Sequence, residues 1–575
     1  MHELVKYLND YKKECVLSPL LKMLEAVFEL TVPLVIARMI DKGIKAGDGT
    51  IITVSFVTLI FLGIVGLCVS ATAQYFAAKA ATGFSAGLRH DLFEHILSFG
   101  FAEIDRLGTS TLITRMTADV NALQNGVNMF LRLFLRSPFI VAGAMIMAFT
   151  IDVKSAFIFV GVIAALAVVI YFVMTINIPL LKRVQSKLDE ITRLVRENLS
   201  GVRVIRAFTL EEDSVARFID ANSHLTSMMQ RSGKISALLN PLTYVIVNIS
   251  IVFLIAAGDY QIRAGILTTG AVVALYNYMS QILLELIKFA NLIVTLNRSV
   301  ASAQRVNEIF DVSCSMTGDP SHPDIINASD VPEVEFRNVS LRYHENADDA
   351  ISGISFKIEK GSSFGIIGGT GAGKSSVAHL IPRFYDATEG EVLVGGINVK
   401  DIDLSALRKH VGIVMQKAVL FEGTIRDNML IASPGATDEE IMEALETAVC
   451  SEVVREKGGL DAHVEASGKN FSGGQRQRLA IARVLCAKPS VLILDDSSSA
   501  LDFLTDKKLR ENITGLSYHP TVIIISQRTA SVEGCDSIMV LDDGKCSAIG
   551  PHAKLLETCG VYKEIYLSLY RKEED

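Results

Sequence analysis

Four stretches of the chain, 51–78, 155–181, 235–258 and 264–284, contain no charged residue. Each is long enough to cross a hydrocarbon core, which takes about 20 helical residues. A fifth apolar stretch, 137–151, is separated from its successor by the turn Asp152-Val153-Lys154. The first in chain order, 16–40, carries Lys22, Glu25 and Glu29 within its apolar run and Arg38 near its end. The pattern predicts six transmembrane helices, an even number that leaves both chain ends on one side. After about residue 310 the pattern changes. Residues 311–330 are rich in Ser, Pro, Asp and Asn and read as a linker. From 331 onward strand-like and helix-like runs alternate, as in an α/β domain. The chain therefore divides into a membrane domain (1–310), a linker (311–330) and a hydrophilic domain (331–575).

The segments after the second and fourth spans are long and basic, with Arg89, Arg106, Arg115, Arg132, Lys182, Arg183, Arg193, Arg196, Arg203 and Arg206. The remaining loops are short. Positive loops favour the cytoplasmic side, so a multi-pass protein of the cytoplasmic membrane with both termini inside is expected. Such long loops predict membrane helices that continue into the cytosol. Residues 1–14 are mixed and charged, without the basic-then-apolar order of a secretory leader. They read as a short amphipathic helix on the inner membrane face, or as a frayed terminus.

Composition sharpens the picture in two ways. Half of the 575 residues are hydrophobic and the net charge is only -8, which gives no support to a nucleic-acid partner. The eight cysteines form no Cys-x-x-Cys pair, and free thiols are expected rather than a zinc or redox site.

The chemistry is concentrated in the hydrophilic domain. An apolar run, Phe364-Gly365-Ile366-Ile367, leads directly into Gly368-Gly369-Thr370-Gly371-Ala372-Gly373-Lys374-Ser375-Ser376. A strand, a glycine loop and then a helix form the context of a phosphate-binding loop. Its glycines turn backbone N–H groups toward phosphates, Lys374 neutralises β/γ-phosphate charge, and Ser375 ligates Mg²⁺. A second apolar run ends in Asp495-Asp496, and Asp495 is the expected Mg²⁺ carboxylate. Gln416, between the loop and the later motifs, is a candidate Mg²⁺ or water contact. Tyr343 is a candidate to stack on adenine, or a packing residue. Phe471-Ser472-Gly473-Gly474-Gln475 offers small residues at a predicted helix start, suited to a γ-phosphate held by another chain.

Together these residues resemble the ATP-binding cassette (ABC) family. The Walker A motif is 368–376, the Q-loop Gln416, the signature 471–475, Walker B 491–495 and the D-loop Ser499-Ala500-Leu501-Asp502. In the membrane half, Arg115-Met116-Thr117-Ala118-Asp119-Val120 and the run 197–208 resemble the two cytoplasmic loops of the exporter branch. The resemblance implies a six-helix transmembrane domain of exporter type, with long helices extending into the cytosol. An α/β P-loop ATPase domain with a helical subdomain follows. It also implies ATP and Mg²⁺ as ligands, and short coupling helices near 102–108 and 205–213.

Two positions depart from the family pattern. Asp496 stands where a catalytic Glu is usual, and Gln527 where a switch His is usual. Shortening the carboxylate by one methylene withdraws it by roughly an ångström, a misplacement that costs on the order of 10²-fold. Gln cannot take a charge or pass on a proton as His does. Asp496, Gln527 and Gln416 are thus the catalytic candidates of a weakened site, while Ser472, Gly473, Gly474 and Gln475 are intact. Ala466 and Ser467 also replace the Glu and Arg usual before the signature. The expectation is one half of a heterodimeric exporter. Its partner chain would hold the intact Glu and His, and its substrate would be a hydrophobic small molecule, lipid or peptide. A homodimer with two slow sites, an ATP-gated channel and a membrane-tethered ATPase are the alternatives. Lys22, Glu25 and Glu29 share one helix face. They read either as cavity lining or as charges met by headgroups and an unidentified cation. Tyr276, Asn277, Tyr278 and Gln281 are weaker cavity candidates.

Overall fold

The computed structural model describes residues 3–314, 316, 331–344 and 347–570. Most of the predicted 311–330 linker lies outside them. Two compact units emerge: Met1–Leu97 with Ser110–Val312, and Ser98–Thr109 with Ser313–Asp575. Residues 98–109, assigned to the membrane domain from sequence, therefore cluster with the second unit.

The first unit is entirely helical: α1 (Lys12–Arg38), α2 (Gly49–Leu97), then, beyond the short α3 (Phe101–Leu107) of the second unit, α4 (Thr109–Thr114), α5 (Val120–Leu133), α6 (Arg136–Ile151), α7 (Val153–Ser200), α8 (Val202–Ala207), α9 (Glu211–Arg263) and α10 (Thr269–Phe310). Among the described residues five helical segments are long and apolar enough to cross a membrane: α2, 109–151, α7, α9 and α10. At 1.5 Å per residue the 49 residues of α2 span about 73 Å, far more than a hydrocarbon core of about 30 Å. The sixth predicted span, α1, does not qualify on composition because Lys22, Glu25 and Glu29 lie along it.

Those charges have partners. Lys22 donates to Glu25 (2.6 Å) and to Ser70 (2.9 Å). Arg136, at the start of α6, donates from Nη2 to both carboxylate oxygens of Glu29 (2.8 and 2.9 Å) and from Nη1 to Glu285 of α10 (2.8 Å). Arg136 is thus the cation that the sequence left unidentified. Pairing reduces the cost of charge at membrane depth, and it ties α1, α6 and α10 together. Helix packing elsewhere relies on small side chains. Ala73, Ala77, Ala80 and Ala81 on α2 are almost fully enclosed. A Cβ on Gly126 of α5 would meet Ser299 of α10 at 2.1 Å, so the two helices approach closely there. Val54, Phe56, Phe61, Ile64 and Leu67 face outward, as a lipid-facing surface requires. Residues Glu3–Tyr11 form a 3₁₀ helix that buries Leu4 and bonds Tyr7 to Asp91 of α2 (2.8 Å). The segment is ordered rather than frayed.

In the second unit a six-stranded sheet holds, in spatial order, Lys545–Gly550, Ser537–Asp542, Ser363–Gly368, Thr521–Ser526, Val491–Asp495 and Val411–Val414. Its central strands are parallel and buried on both faces, which explains their unbroken Val/Ile/Leu runs. A four-stranded, largely antiparallel sheet including Val334–Leu341 and Ile351–Ile358 shares its core. A second core, with Leu420, Ile441, Leu445, Val464, Phe471 and Leu479, holds a helical subdomain.

Candidate nucleotide site

The strand Ser363–Gly368 pairs in parallel with strands on both sides and delivers the loop at its C-terminal end. Gly371 and Gly373 have φ of +86° and +91°, which only glycine adopts without strain. A Cβ on Gly373 would also meet the Ala350 carbonyl at 2.5 Å, whereas Gly369 and Gly371 face open space. That open, glycine-lined cradle fits phosphates. Lys374, the first residue of the helix Lys374–Leu380, is buried and donates to the carbonyls of Gly368 (2.9 Å) and Gly369 (2.6 Å). Burial lowers its pKa, and the carboxylates of Asp496 and Asp495 oppose that shift. An arriving polyphosphate would therefore meet an ammonium held inside the loop by weak carbonyl acceptors.

Asp495 ends its strand beside the loop and accepts a hydrogen bond from Ser375 (3.1 Å). Burial raises its pKa, the hydrogen bond from Ser375 and the charge of Lys374 oppose that shift, and the neighbouring Asp496 carboxylate adds to it. A hydroxyl and a desolvated carboxylate converging in this way suit a hard divalent cation. The next residue, Asp496, has φ of +45°, a left-handed conformation that Asp tolerates better than most side chains. Its N–H donates to Ile525 (2.9 Å), and its carboxylate accepts from Gln416 Nε2 (3.2 Å). Gln527 follows the adjacent strand and accepts from Thr370 (3.4 Å). The structure thus brings Thr370, Lys374, Ser375, Gln416, Asp495, Asp496 and Gln527 together, with Gly368 and Ala372 in the loop.

Tyr343 lies beside the loop helix, donates to Ser376 (2.9 Å) and meets Tyr385 edge-on at 5.0 Å. Its ring is partly exposed and already has a packing partner. His379 escaped the sequence reading. It sits one turn beyond Ser375, 4.0 Å from Asp495, and its Nε2 is enclosed without a hydrogen-bond partner. Burial lowers its pKa. The i, i+4 spacing from Ser375 was the available signal.

The signature residues lie apart from this cluster in the hydrogen-bond pattern. Ser472 caps the helix Gly473–Cys486, accepting from the Gln475 N–H (3.3 Å), while Gln475 accepts from the Ser472 N–H (2.9 Å). This reciprocal capping box fixes the helix start. Gly473 faces open space, but a Cβ on Gly474 would meet the Ala500 carbonyl at 2.9 Å. Gly474 is therefore small for packing against the D-loop, in addition to any role toward a ligand.

Helix α3 reaches the same neighbourhood within its unit. Phe101 stacks on Phe384 (4.4 Å), and Asp105 accepts from Tyr385 (2.6 Å). The predicted position 102–108 differs from α3 by one residue at each end. The second predicted helix, 205–213, is displaced: α8 covers Val202–Ala207, Phe208–Leu210 leave the helix, and α9 begins at Glu211. Gly201 ends α7, and Thr209 at φ of +53° breaks the chain again.

Residues 15–286 match the family described as ABC transporter transmembrane region, and residues 351–499 match that described as ABC transporter. The chain is 33% identical over 574 residues to YfiB of Bacillus subtilis, an uncharacterized ABC transporter ATP-binding protein, covering 100% of this chain and 99% of that protein. It is 33% identical over 567 residues to MT1311 of Mycobacterium tuberculosis, likewise uncharacterized, covering 98% and 97%. Among solved structures, that of a bacterial Atm1-family ABC exporter with ATP bound superposes with a TM-score of 0.80 at 22% identity, covering 97% and 98%. The chain belongs to the ABC transporters, and its fold is of exporter type: a helical transmembrane domain followed by an α/β nucleotide-binding domain. It binds ATP and is an ATPase whose hydrolysis drives transport across a membrane.

Proposed function

We propose that this chain is one half of a heterodimeric exporter, contributing a weak ATP site and an intact signature. The observation that carries the reading is Asp496. It stands at the position of the catalytic Glu, one methylene short, and its carboxylate is engaged by Gln416 at 3.2 Å. Gln527, at the position of the switch His, is engaged with Thr370. In this reading residues 1–310 form the membrane domain, 311–330 the linker and 331–575 the cassette. Gly368 to Ser376 bind the phosphates, Tyr343 packs at the adenine, and Ser375, Asp495 and Gln416 hold Mg²⁺. Ser472, Gly473, Gly474 and Gln475 complete the active site formed by the partner chain's Walker motifs. Helices α3 and α8 carry cassette closure to the membrane helices. Both termini lie on the cytoplasmic side of the inner membrane. The substrate is a hydrophobic or amphipathic molecule leaving the cytosol or the inner leaflet.

The test compares ATPase activity of the purified chain with that of the chain coexpressed with a half-transporter carrying the intact Glu and His. Slow turnover alone and restored turnover together support the proposal. Full turnover and substrate flux from a purified homodimer overturn it.

A further inference from the structure

His379 brings an enclosed, unbonded ring nitrogen to the nucleotide site. It lies in the helix Lys374–Leu380, one turn beyond Ser375. Helical side chains lean toward the N-terminus, so positions i and i+4 meet on one face. The two residues therefore reach the same partner, Asp495, at its two different oxygens. Ser375 Oγ donates to Oδ1 (3.1 Å), while His379 Nε2 stands 4.0 Å from Oδ2. The Asp495 side chain is 3% exposed and that of His379 19%, so bulk water is largely excluded from the gap. An enclosed polar atom in this position costs free energy until something pairs with it.

Other pairings do not meet that need. Asp105, whose charge also acts on the ring, accepts from Tyr385 (2.6 Å). Lys374 donates to the carbonyls of Gly368 and Gly369. The imidazole touches Phe384 (centroids 5.8 Å apart, planes at 50°) and Tyr385 (6.1 Å, 26°). Those ring contacts would be served as well by an apolar ring, and they do not call for a nitrogen. A carboxylate held through one oxygen can still turn about its last torsion, which is broad and two-fold in Asp. A second donor fixes its plane. Bringing Nε2 from 4.0 Å to hydrogen-bond length takes a shift of about 1 Å, within the reach of that torsion and of the imidazole's own.

We propose that His379 is a positioning residue for Asp495: its Nε2–H closes onto Oδ2 when nucleotide and Mg²⁺ are bound, and with Ser375 on Oδ1 it fixes the carboxylate plane. The proposal rests on the reading that Ser375 and Asp495 hold Mg²⁺, and it adds the residue that orients the second of them. In this role His379 touches neither nucleotide nor cation, and its effect passes through Asp495 alone. Hydrogen-bond partners behind a metal ligand typically tune metal affinity by about tenfold or more.

The experiment measures equilibrium binding of AMP-PNP, a non-hydrolysable ATP analogue, to the full chain in lipid nanodiscs, with Mg²⁺ and with EDTA. The readout is the factor by which Mg²⁺ tightens binding. His379→Phe keeps an aromatic ring and removes the donor. His379→Gln removes the ring and returns an N–H near the place of Nε2. The Mg²⁺ factor is expected to fall about tenfold in His379→Phe. In His379→Gln it should stay within about threefold of the parent, and affinity in EDTA should do so in both variants. An unchanged factor in His379→Phe overturns the proposal. So does an equal loss in both variants, which would make the ring and not the donor the active part. If His379→Phe fails to fold, loss of the factor in His379→Gln overturns the proposal alone. Asp495→Asn separates the two readings. If it abolishes the factor while His379→Phe does not, Asp495 serves the cation and His379 only packs. If Asp495→Asn leaves the factor intact, the metal reading fails and this proposal fails with it.

Discussion

Replacing Gly473 with Asp separates the signature's role toward nucleotide from its role in the fold. Gly473 is the first residue of its helix, directly after the Ser472 cap, and an added Cβ there meets nothing within 4 Å. A carboxylate at a helix N-terminus is itself favourable by about 0.3–1 kcal/mol. The isolated chain should therefore melt at or slightly above the parent temperature. Toward a γ-phosphate the sign reverses. Two like charges about 4 Å apart at an effective dielectric near 20 repel by ~4 kcal/mol, or roughly 10³-fold. Steady-state ATPase of the assembled complex should fall by at least ~10²-fold, allowing for screening by counter-ions. Gly474→Asp is a poorer probe, because its Cβ would sit 2.9 Å from the Ala500 carbonyl and displace the D-loop as well. Turnover within about threefold of the parent, a loss of under 1 kcal/mol, would refute the reasoning. So would a clear drop in melting temperature accompanying the loss of activity.

Tyr385→Phe removes the 2.6 Å bond to Asp105 but keeps the ring that meets Tyr343. Transport is expected to fall more than ATPase, measured side by side, and an equal fall would place Tyr385 in the ATP site alone. Phe208→Asp alters a side chain that is 70% exposed between α8 and α9, so stability should shift by no more than about 0.5 kcal/mol while transport falls. Unchanged transport would remove α8 from the coupling role. Burial raises the Asp495 pKa above its unfolded value. Its contribution is therefore present at low pH and is lost as pH rises from the unfolded pKa through the folded one. At pH 7 without nucleotide or metal, Asp495→Asn should melt higher than the parent and lose any stabilisation by Mg²⁺. Thermal melts with and without Mg²⁺–ATP test both signs.

What the sequence revealed depended on range. The P-loop, the signature and the uncharged spans are local, so residues such as Lys374, Ser375 and Ser472 could be placed with their neighbours in view. Gln416 and Asp496 were separate candidates, and only the fold joins them across 80 positions. The cation for Glu29 lies 107 positions away at Arg136, and Glu285 lies 149 beyond that, on helices whose pairing no periodicity specifies. The boundaries of the second short helix have local signals in the sequence: Gly201 closes α7, and Glu211, Glu212 and Asp213 supply an acidic first turn to α9. The clustering of 98–109 with the cassette rests on the Phe101–Phe384 stack and the Asp105–Tyr385 bond, which only tertiary structure supplies.

Asp496→Asn tests the central claim most directly, by steady-state ATPase of the assembled complex. The site containing Asp496 is held to contribute little, so turnover should remain within about threefold of the parent. A loss of ~10²-fold or more, as expected when a working general base is removed, would mean that Asp496 serves the productive site and would contradict the account.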